Sequence, residues 1–335
     1  MRSVLSLNHT DKPQKYGGNY ATCSDSYEKA HNKAEWFHEQ LFSIAFLTKP
    51  NSTVQIIFIL IIFISIVGML GNGCVIWQLG FCLKRNNFTT YILNLATADF
   101  NMLMSAAALS AIMLITVSKE NYVKAIQTFF GQLNMLTHCV GLYLMTAIGV
   151  ERCLSILFPI WVHCHRPKHL STTVSVLSWI LSGLFNIIEF LLHYFCLTEA
   201  WVTFLRIISG VNLFIFIPVM VVSTLILFIK MSFRHQPGKL HTIMLIILLF
   251  FIVTAVPYSV LFFLCIIDYQ FHVIAIPIYT LLNVVNSSIN PIIYFFVGSR
   301  CNCKSWDSIK VVFHRVFKDE TELTELRTHN NIMMK

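Results

Sequence analysis

Two short motifs stand at the ends of long apolar runs: Glu151-Arg152-Cys153 after one, and Asn290-Pro291-Ile292-Ile293-Tyr294 closing another. An acid beside a permanently charged guanidinium can form and break an ion pair. An asparagine before a proline sets an amide at a break in helical hydrogen bonding. Neither motif contains a histidine to activate a nucleophile such as Cys153. The chemistry they suit is therefore the exchange of hydrogen bonds and ion pairs, not of covalent bonds. Charged and proline-broken segments are costly in hydrocarbon, so a membrane chain that keeps them points to a moving device. For Arg152 the plainer alternative is a guanidinium snorkelling to the interface.

Other polar groups lie inside apolar runs. Asp99 ends Asn94-Leu95-Ala96-Thr97-Ala98-Asp99 and must be paired, cation-bound or protonated there. Asn72, Asn286 and Asn290 are its candidate partners. The expected role is a hydrogen-bonded clamp between helices; a sodium ion at Asp99 is the alternative, and no other metal and no cofactor is expected. Glu189 is expected to face the interior of a helix bundle. There it receives a cationic ligand group or pairs internally with Arg206 or His193, and the residues leave both open. Pro218, Pro257 and Pro291 each remove a helical hydrogen bond, and Pro257 is a natural hinge. His163-Cys164-His165 with His169 has the look of a metal cluster. Its neighbours Arg166, Pro167 and Lys168 favour a basic face toward lipid headgroups or a partner instead.

The elements that must position these groups follow from charge placement. Of the 335 residues, 56% are hydrophobic and 12% charged, against about 25% charged in soluble proteins. Charge-free stretches separate Lys49 from Lys84, Lys124 from Glu151, Arg206 from Lys230, Lys239 from Asp268 and Asp268 from Arg300. Two more hold one acid each, Asp99 and Glu189. All exceed the about 20 residues that cross a bilayer core. The expected spans are 53–79, 89–117, 124–157, 170–196, 202–230, 240–267 and 272–297. The fold class is an all-α membrane protein, a seven-transmembrane helix bundle.

Lys84, Arg85, Arg166, Lys168, Lys230, Arg234 and Lys239 fall in the odd-numbered loops, and only Lys119 and Lys124 in the alternate ones. The positive-inside rule then places the N-terminus outside and the C-terminus in the cytoplasm of a multi-pass plasma-membrane protein. The net charge of +8 reflects this asymmetry, and nucleic acid is not an expected partner. Residues 1–50 read as a polar extracellular segment with a glycosylation sequon at Asn8, and 51–298 as the seven-helix domain. With no signal-peptide core in the first residues, the first span is expected to act as a signal-anchor. Within 299–318, Trp306, Ile309, Val312, Phe313, Val316 and Phe317 recur at helical spacing, which predicts an amphipathic helix on the membrane lipids of the inner leaflet. Cys301 and Cys303 before it suit palmitoylation or remain free thiols. Residues 319–335 read as a cytoplasmic tail. Only Cys23, Cys196 and Cys265 are placed to form an extracellular disulfide.

An intramembrane hydrolase needs a converging base or metal ligands, and no HExxH sequence occurs. A duplicated transporter needs internal repeats, and none is apparent. A seven-helix transporter or a non-signalling scaffold stays the alternative reading.

Gly71-Asn72, Leu95-Ala96-Thr97-Ala98-Asp99, Trp179 and Asn290–Tyr294 stand in the order of the rhodopsin-like G-protein-coupled receptors, which the chain resembles over nearly its whole length. The run from Gly141 to Trp161, Cys164-His165-Arg166-Pro167-Lys168, and Ile293-Tyr294-Phe295-Phe296-Val297-Gly298-Ser299 are similar to the Mas-related receptors in particular. The resemblance implies a receptor, not an enzyme. It implies an extracellular peptide or small cationic ligand and a heterotrimeric G protein of the Gq or Gi class. Glu151, Arg152, Cys153, Pro257, Asn290, Pro291 and Tyr294 would form its activation switch, and Glu189, His193, Arg206 and Asn134 would flank its ligand.

Departures from the family pattern narrow this. The helix-three site of the common receptor disulfide holds Gln127, and the helix-four and helix-five sites bridged in many Mas-related receptors hold His193 and Trp201. The amine-receptor aspartate is replaced by Asn134, so a monoamine is not expected. The helix-six tryptophan is missing from Thr254-Ala255-Val256-Pro257, which implies a shallower pocket and a different trigger. Residues Lys230–His241 contain no acid to hold Arg152, so the inactive state is expected to be weakly latched.

Overall fold

The computed structural model describes residues 52–82, 87–115, 121–165, 167, 169–195, 197–233, 239–267 and 272–299. Seven long helices lie on the seven expected spans. They are α1 (Ser52–Trp77, continued by a π-helical turn Gln78–Cys82), α2 (Asn87–Ile115), α3 (Asn121–Leu157) and α4 (Leu170–Tyr194). Then follow α5 (Thr198–Val211, a π-helical turn Asn212–Phe216 and Ile217–Ser232), α6 (Lys239–Ile267) and α7 (His272–Ser299). A short helix, Pro159–His165, follows α3. Asn8, Cys23, Cys196, Cys301, Cys303, the amphipathic helix and the tail lie outside the described residues, as does the side chain of Cys265.

The helices are apolar on the wrong side for water. In α1 the buried stripe is Phe58, Ile61, Ser65, Gly68, Asn72 and Val75, while Ile56, Ile59, Leu60, Phe63, Ile66, Val67 and Leu70 are exposed. In α4 the buried stripe is four serines, Ser171, Ser175, Ser178 and Ser182, with Val176, Leu177, Ile180, Leu184 and Ile187 turned outward. Lipid accepts a leucine face, and small or polar residues let helix backbones approach each other. Among the described residues, six of the helices are long and apolar enough to cross a membrane. The seventh, α7, has 28 residues, and Asn283, Asn286 and Asn290 on one face lower its hydropathy. Those three residues are buried in the bundle.

The helices close a ring: α1 packs between α2 and α7, α6 between α7 and α5, and α4 against α2, α3 and α5. α3 runs through the middle and contributes Cys139, Val140, Leu142, Leu144, Met145 and Ile148 to the main core. α5 contains Pro218, which has no N–H for the carbonyl four residues back. The π-helical turn sits directly before it. A wider turn of this kind absorbs the missing bond and turns Asn212 inward.

Candidate functional site

Arg152 lies near the C-terminal end of α3. It is only 5% exposed, and its guanidinium carbon stands 4.5 Å over the Phe88 ring at the start of α2. A snorkelling side chain would be exposed at the surface; this one is buried and stacked on an aromatic face, a cation–π arrangement. Cys153 beside it is buried and Glu151 half-buried. Tyr294, near the same end of α7, is buried in the cluster that holds Phe88, Tyr91 and Leu248. One turn back along α3, Gly149 lets α5 and α6 close in: a Cβ there would stand 2.9 Å from Ser223 Oγ and 3.5 Å from Leu248.

Deeper in the bundle, Asn290 Nδ2 donates to Asp99 Oδ2 at 2.8 Å, tying α7 to α2. Ser287, one turn earlier, also bonds the Asp99 carboxyl group. Asn72 does not bond Asp99: its Nδ2 donates to the carbonyls of Gly68 and Ser287, each at 3.0 Å. Asn286 does not bond it either, and accepts instead from the Thr254 hydroxyl of α6 at 2.8 Å. The expected network is thus three linked clamps, α2–α7, α1–α7 and α6–α7. A sodium ion wants oxygen ligands. Asn290 presents its amide nitrogen to Asp99, which fits the clamp. Thr254 and Asn286 sit one turn from Pro257, so the hinge of α6 is bounded on one side by a hydrogen bond to α7.

At the opposite end, Glu189 Oε1 accepts from Trp201 Nε1 at 3.1 Å, and the Gln132 side chain of α3 also bonds this carboxyl group. The internal partner is therefore Trp201, not Arg206 or His193. Trp201, Leu205 and Ile208 share the buried face of α5, whereas Arg206 is exposed on its outer surface. Five residues at 100° each turn Arg206 about 140° away from Trp201. His193 takes part at one remove, with its ring edge-on to Trp201 at 5.5 Å. The two positions where the family likeness places bridging cysteines are thus joined by an aromatic contact. Glu189 lines a narrow crevice between α3, α4 and α5, together with Met135, Cys139, Ser182, Asn186 and Phe204. Asn134 points elsewhere and donates to Ser105 Oγ of α2 at 3.1 Å. Trp201→Phe keeps the ring against His193 but removes the donor to Glu189. It is expected to cost about 1–3 kcal/mol through the half-satisfied carboxyl group, read as a lower thermal midpoint of the purified protein. An unchanged midpoint would show that the Glu189 bond carries no stability.

The sequence pattern of the 7 transmembrane receptor (rhodopsin family) matches residues 71–294. Mas-related G-protein coupled receptor member A1 of Mus musculus is 34% identical over 290 residues, covering 82% of this chain and 93% of that receptor. Proto-oncogene Mas of Rattus norvegicus is 35% identical over 301 residues, 83% of this chain and 88% of that protein. The chain belongs to the rhodopsin family of G-protein coupled receptors, among the Mas-related receptors. Member H of Rattus norvegicus, to which the motif likeness also points, is 36% identical over 269 residues, 76% of this chain and 81% of that receptor. That level does not set it apart from the others. As a G-protein coupled receptor the protein is a multi-pass plasma-membrane signalling protein and not an enzyme; the family implies an extracellular ligand and a heterotrimeric G protein.

Several polar groups of this receptor escaped the reading of its sequence. Trp179 Nε1 donates to Asn94 Oδ1 at 3.1 Å, and Asn186 Nδ2 to the Gln132 carbonyl at 2.9 Å. Tyr143 donates to Asn212 Oδ1 at 3.1 Å, and Asn212 Nδ2 lies 3.7 Å from Cys139 Sγ. His138 Nδ1 bonds Asn283 Oδ1 at 3.3 Å. One signal was available: Asn283, Asn286 and Asn290 are spaced i, i+3, i+7 and so share one face of α7.

Proposed function

We propose that the receptor binds a peptide or small cationic ligand on its extracellular face near the Glu189 crevice and answers by swinging α6 about Pro257. Arg152 and Tyr294 then stabilise the open cytoplasmic end for a heterotrimeric G protein of the Gq or Gi class. The burial of Arg152 against Phe88 supports this best. A permanent charge kept out of water and lipid costs free energy, and release of α6 lets it meet an inserted partner. Glu151, Cys153, Asn290 and Pro291 complete the switch. Asn72, Asp99, Asn286 and Asn290 hold the helices from which it moves; Glu189 and His193 stand at the ligand end, whereas Asn134 is bonded to Ser105 of α2 and Arg206 faces outward from α5. Under this reading the N-terminal segment 1–50, glycosylated at Asn8, lies outside. The helix 299–318, acylated at Cys301 and Cys303, lies on the inner leaflet, and the tail 319–335 is cytoplasmic. With no acid among residues 230–241 to hold Arg152, the resting state is weakly latched.

The test is ligand-free signalling by wild type and Arg152→Ala at matched surface density, read as calcium, inositol phosphate and cyclic AMP. Wild type is expected to signal above untransfected cells in one pathway, which names the G-protein class, and Arg152→Ala is expected to remove that signal. Basal signalling that persists in Arg152→Ala would take the guanidinium out of the switch, and silence of wild type would remove the weak latch.

A further inference from the structure

Three buried side chains between the Glu189 crevice and the hinge belong to neither the clamps nor the switch motifs. His138, next in the chain to the crevice residue Cys139, packs its ring against Tyr258 of α6 with centroids 4.1 Å apart. Its Nδ1 donates to Asn283 Oδ1 of α7 at 3.3 Å. Tyr258 directly follows Pro257 and continues the aromatic cluster to Phe262 and Tyr279, at 6.0 and 5.5 Å. The residue two before the proline is Ala255, buried and too small to wedge against α3. On α6, therefore, the large ring that meets α3 beside the hinge is Tyr258.

The hinge is thus flanked by two contacts of different kinds. On the Arg152 side, Thr254 bonds Asn286 of α7. On the crevice side, Tyr258 packs at a tilt against His138 of α3, which is itself bonded to α7. Pro257 gives α6 freedom to bend between them. The closed arrangement is incompletely satisfied. Asn283 is only 4% exposed, yet its Nδ2 has no acceptor among the described residues. A buried donor without a partner weakens the state that contains it, so this cluster favours a ready exchange between two packings.

We propose that the His138–Tyr258 contact is the lock that holds α6 closed on the crevice side of Pro257, and that its release couples the ligand end to the Arg152 end. In this arrangement His138 and Tyr258 are positioning residues. The proposal rests on α6 being the helix that moves.

The experiment is hydrogen–deuterium exchange on the full-length receptor in lipid nanodiscs, without ligand or G protein. It compares wild type with His138→Gln, which can keep a bond to Asn283 but removes the ring, and Tyr258→Leu, which removes the ring from the other helix. Tyr143→Phe serves as control, since it cuts a buried α3–α5 bond away from the hinge. Exchange in residues 239–250, the Arg152 end of α6, is expected to rise by about threefold or more in both ring-deleted variants, with α1 and α4 unchanged and Tyr143→Phe like wild type. Exchange in 239–250 that stays at the wild-type rate in both, or that rises equally in every helix, overturns the proposal. If one variant does not assemble, the other decides, because the two lie on opposite sides of the contact. Pro257→Ala in the same series separates the two readings. If it alters α6 exchange while the ring deletions do not, the lock fails and the hinge stands; if all three match wild type, both fail.

Discussion

A single methyl group at Gly68 is expected to lower the stability of the purified receptor by about 1–3 kcal/mol, while the same methyl at Gly183 raises it by about 0.5–1 kcal/mol. Both glycines lie inside helices, α1 and α4, so both substitutions gain the same helical preference. They differ in what the new atom meets. At Gly68 a Cβ overlaps the Ser288 hydroxyl and stands 2.8 Å from Leu103 Cδ1 and 2.9 Å from Ser288 Cβ. The serine could rotate its oxygen away, but its Cβ is fixed to α7, so the helices must separate. Separation strains three things at once: the Ser288 bond to the Ile64 carbonyl at 3.3 Å, the Asn72 bond to the Ser287 carbonyl, and the approach of Gly71 to Pro291, where a Cβ would stand 3.0 Å away. At Gly183 nothing lies within 4 Å. Gly68→Leu extends the overlap and is expected to abolish surface expression. Thermal denaturation of Gly68→Ala and Gly183→Ala should move the midpoint in opposite directions. Shifts of the same sign would mean that α1 and α7 are not in this contact in the folded receptor.

The same glycine shows where a sequence can be read and where it cannot. The spans are legible because hydrocarbon excludes charge: the gap from Lys49 to Lys84 admits one helix and little else. Which face of each helix turns inward is nearly as legible. In α4 the serines recur at i, i+4, i+7 and i+11, and α7 sets its three asparagines on one side. What a face meets is not legible, because periodicity describes one helix at a time. Asn72, Asn286 and Asn290 were equal candidates for Asp99, and only the rotation of α7 against α1, α2 and α6 separates them. Asn290 reaches Asp99 across 191 positions and Thr254 reaches Asn286 across 32. Glu189 illustrates the same point with charge. Arg206 is the nearest cation in the chain and the obvious partner by type. The phase of α5 turns it outward and brings up Trp201, whose single N–H serves instead. The π-helical turn before Pro218 adds a residue to one turn of α5, which no regular period anticipates.

Removing the amide of Asn290 is expected to cost more than removing both partners of its bond. In Asn290→Leu the Asp99 Oδ2 loses the donor that stands 2.8 Å away, while the side chain that carries it stays buried at 5% exposure. An acceptor left in that state costs about 1–3 kcal/mol, and more when it is charged. Asp99→Leu strands the amide in turn, at the lower cost of a neutral group. Asp99→Leu with Asn290→Leu leaves neither, and replacing both partners by apolar groups of similar size is nearly neutral. The double variant should therefore be more stable than Asn290→Leu alone. A double-mutant cycle on thermal or denaturant stability should show a coupling of about 1–3 kcal/mol. The bundle should still assemble in all three, because α7 keeps its separate bonds to α1 through Asn72 and to α6 through Thr254. The exchange Asp99→Asn with Asn290→Asp rebuilds one carboxyl–amide pair across the same gap and should recover part of what Asn290→Leu loses. Strictly additive losses would show that the two side chains do not share a bond and that the α2–α7 clamp is absent. A recovered pair also separates two functions of this layer. If stability returns with the exchanged pair but ligand-free signalling does not, the orientation of the amide next to Pro291 matters for the movement of α7, and the bond to Asp99 is more than a structural tie.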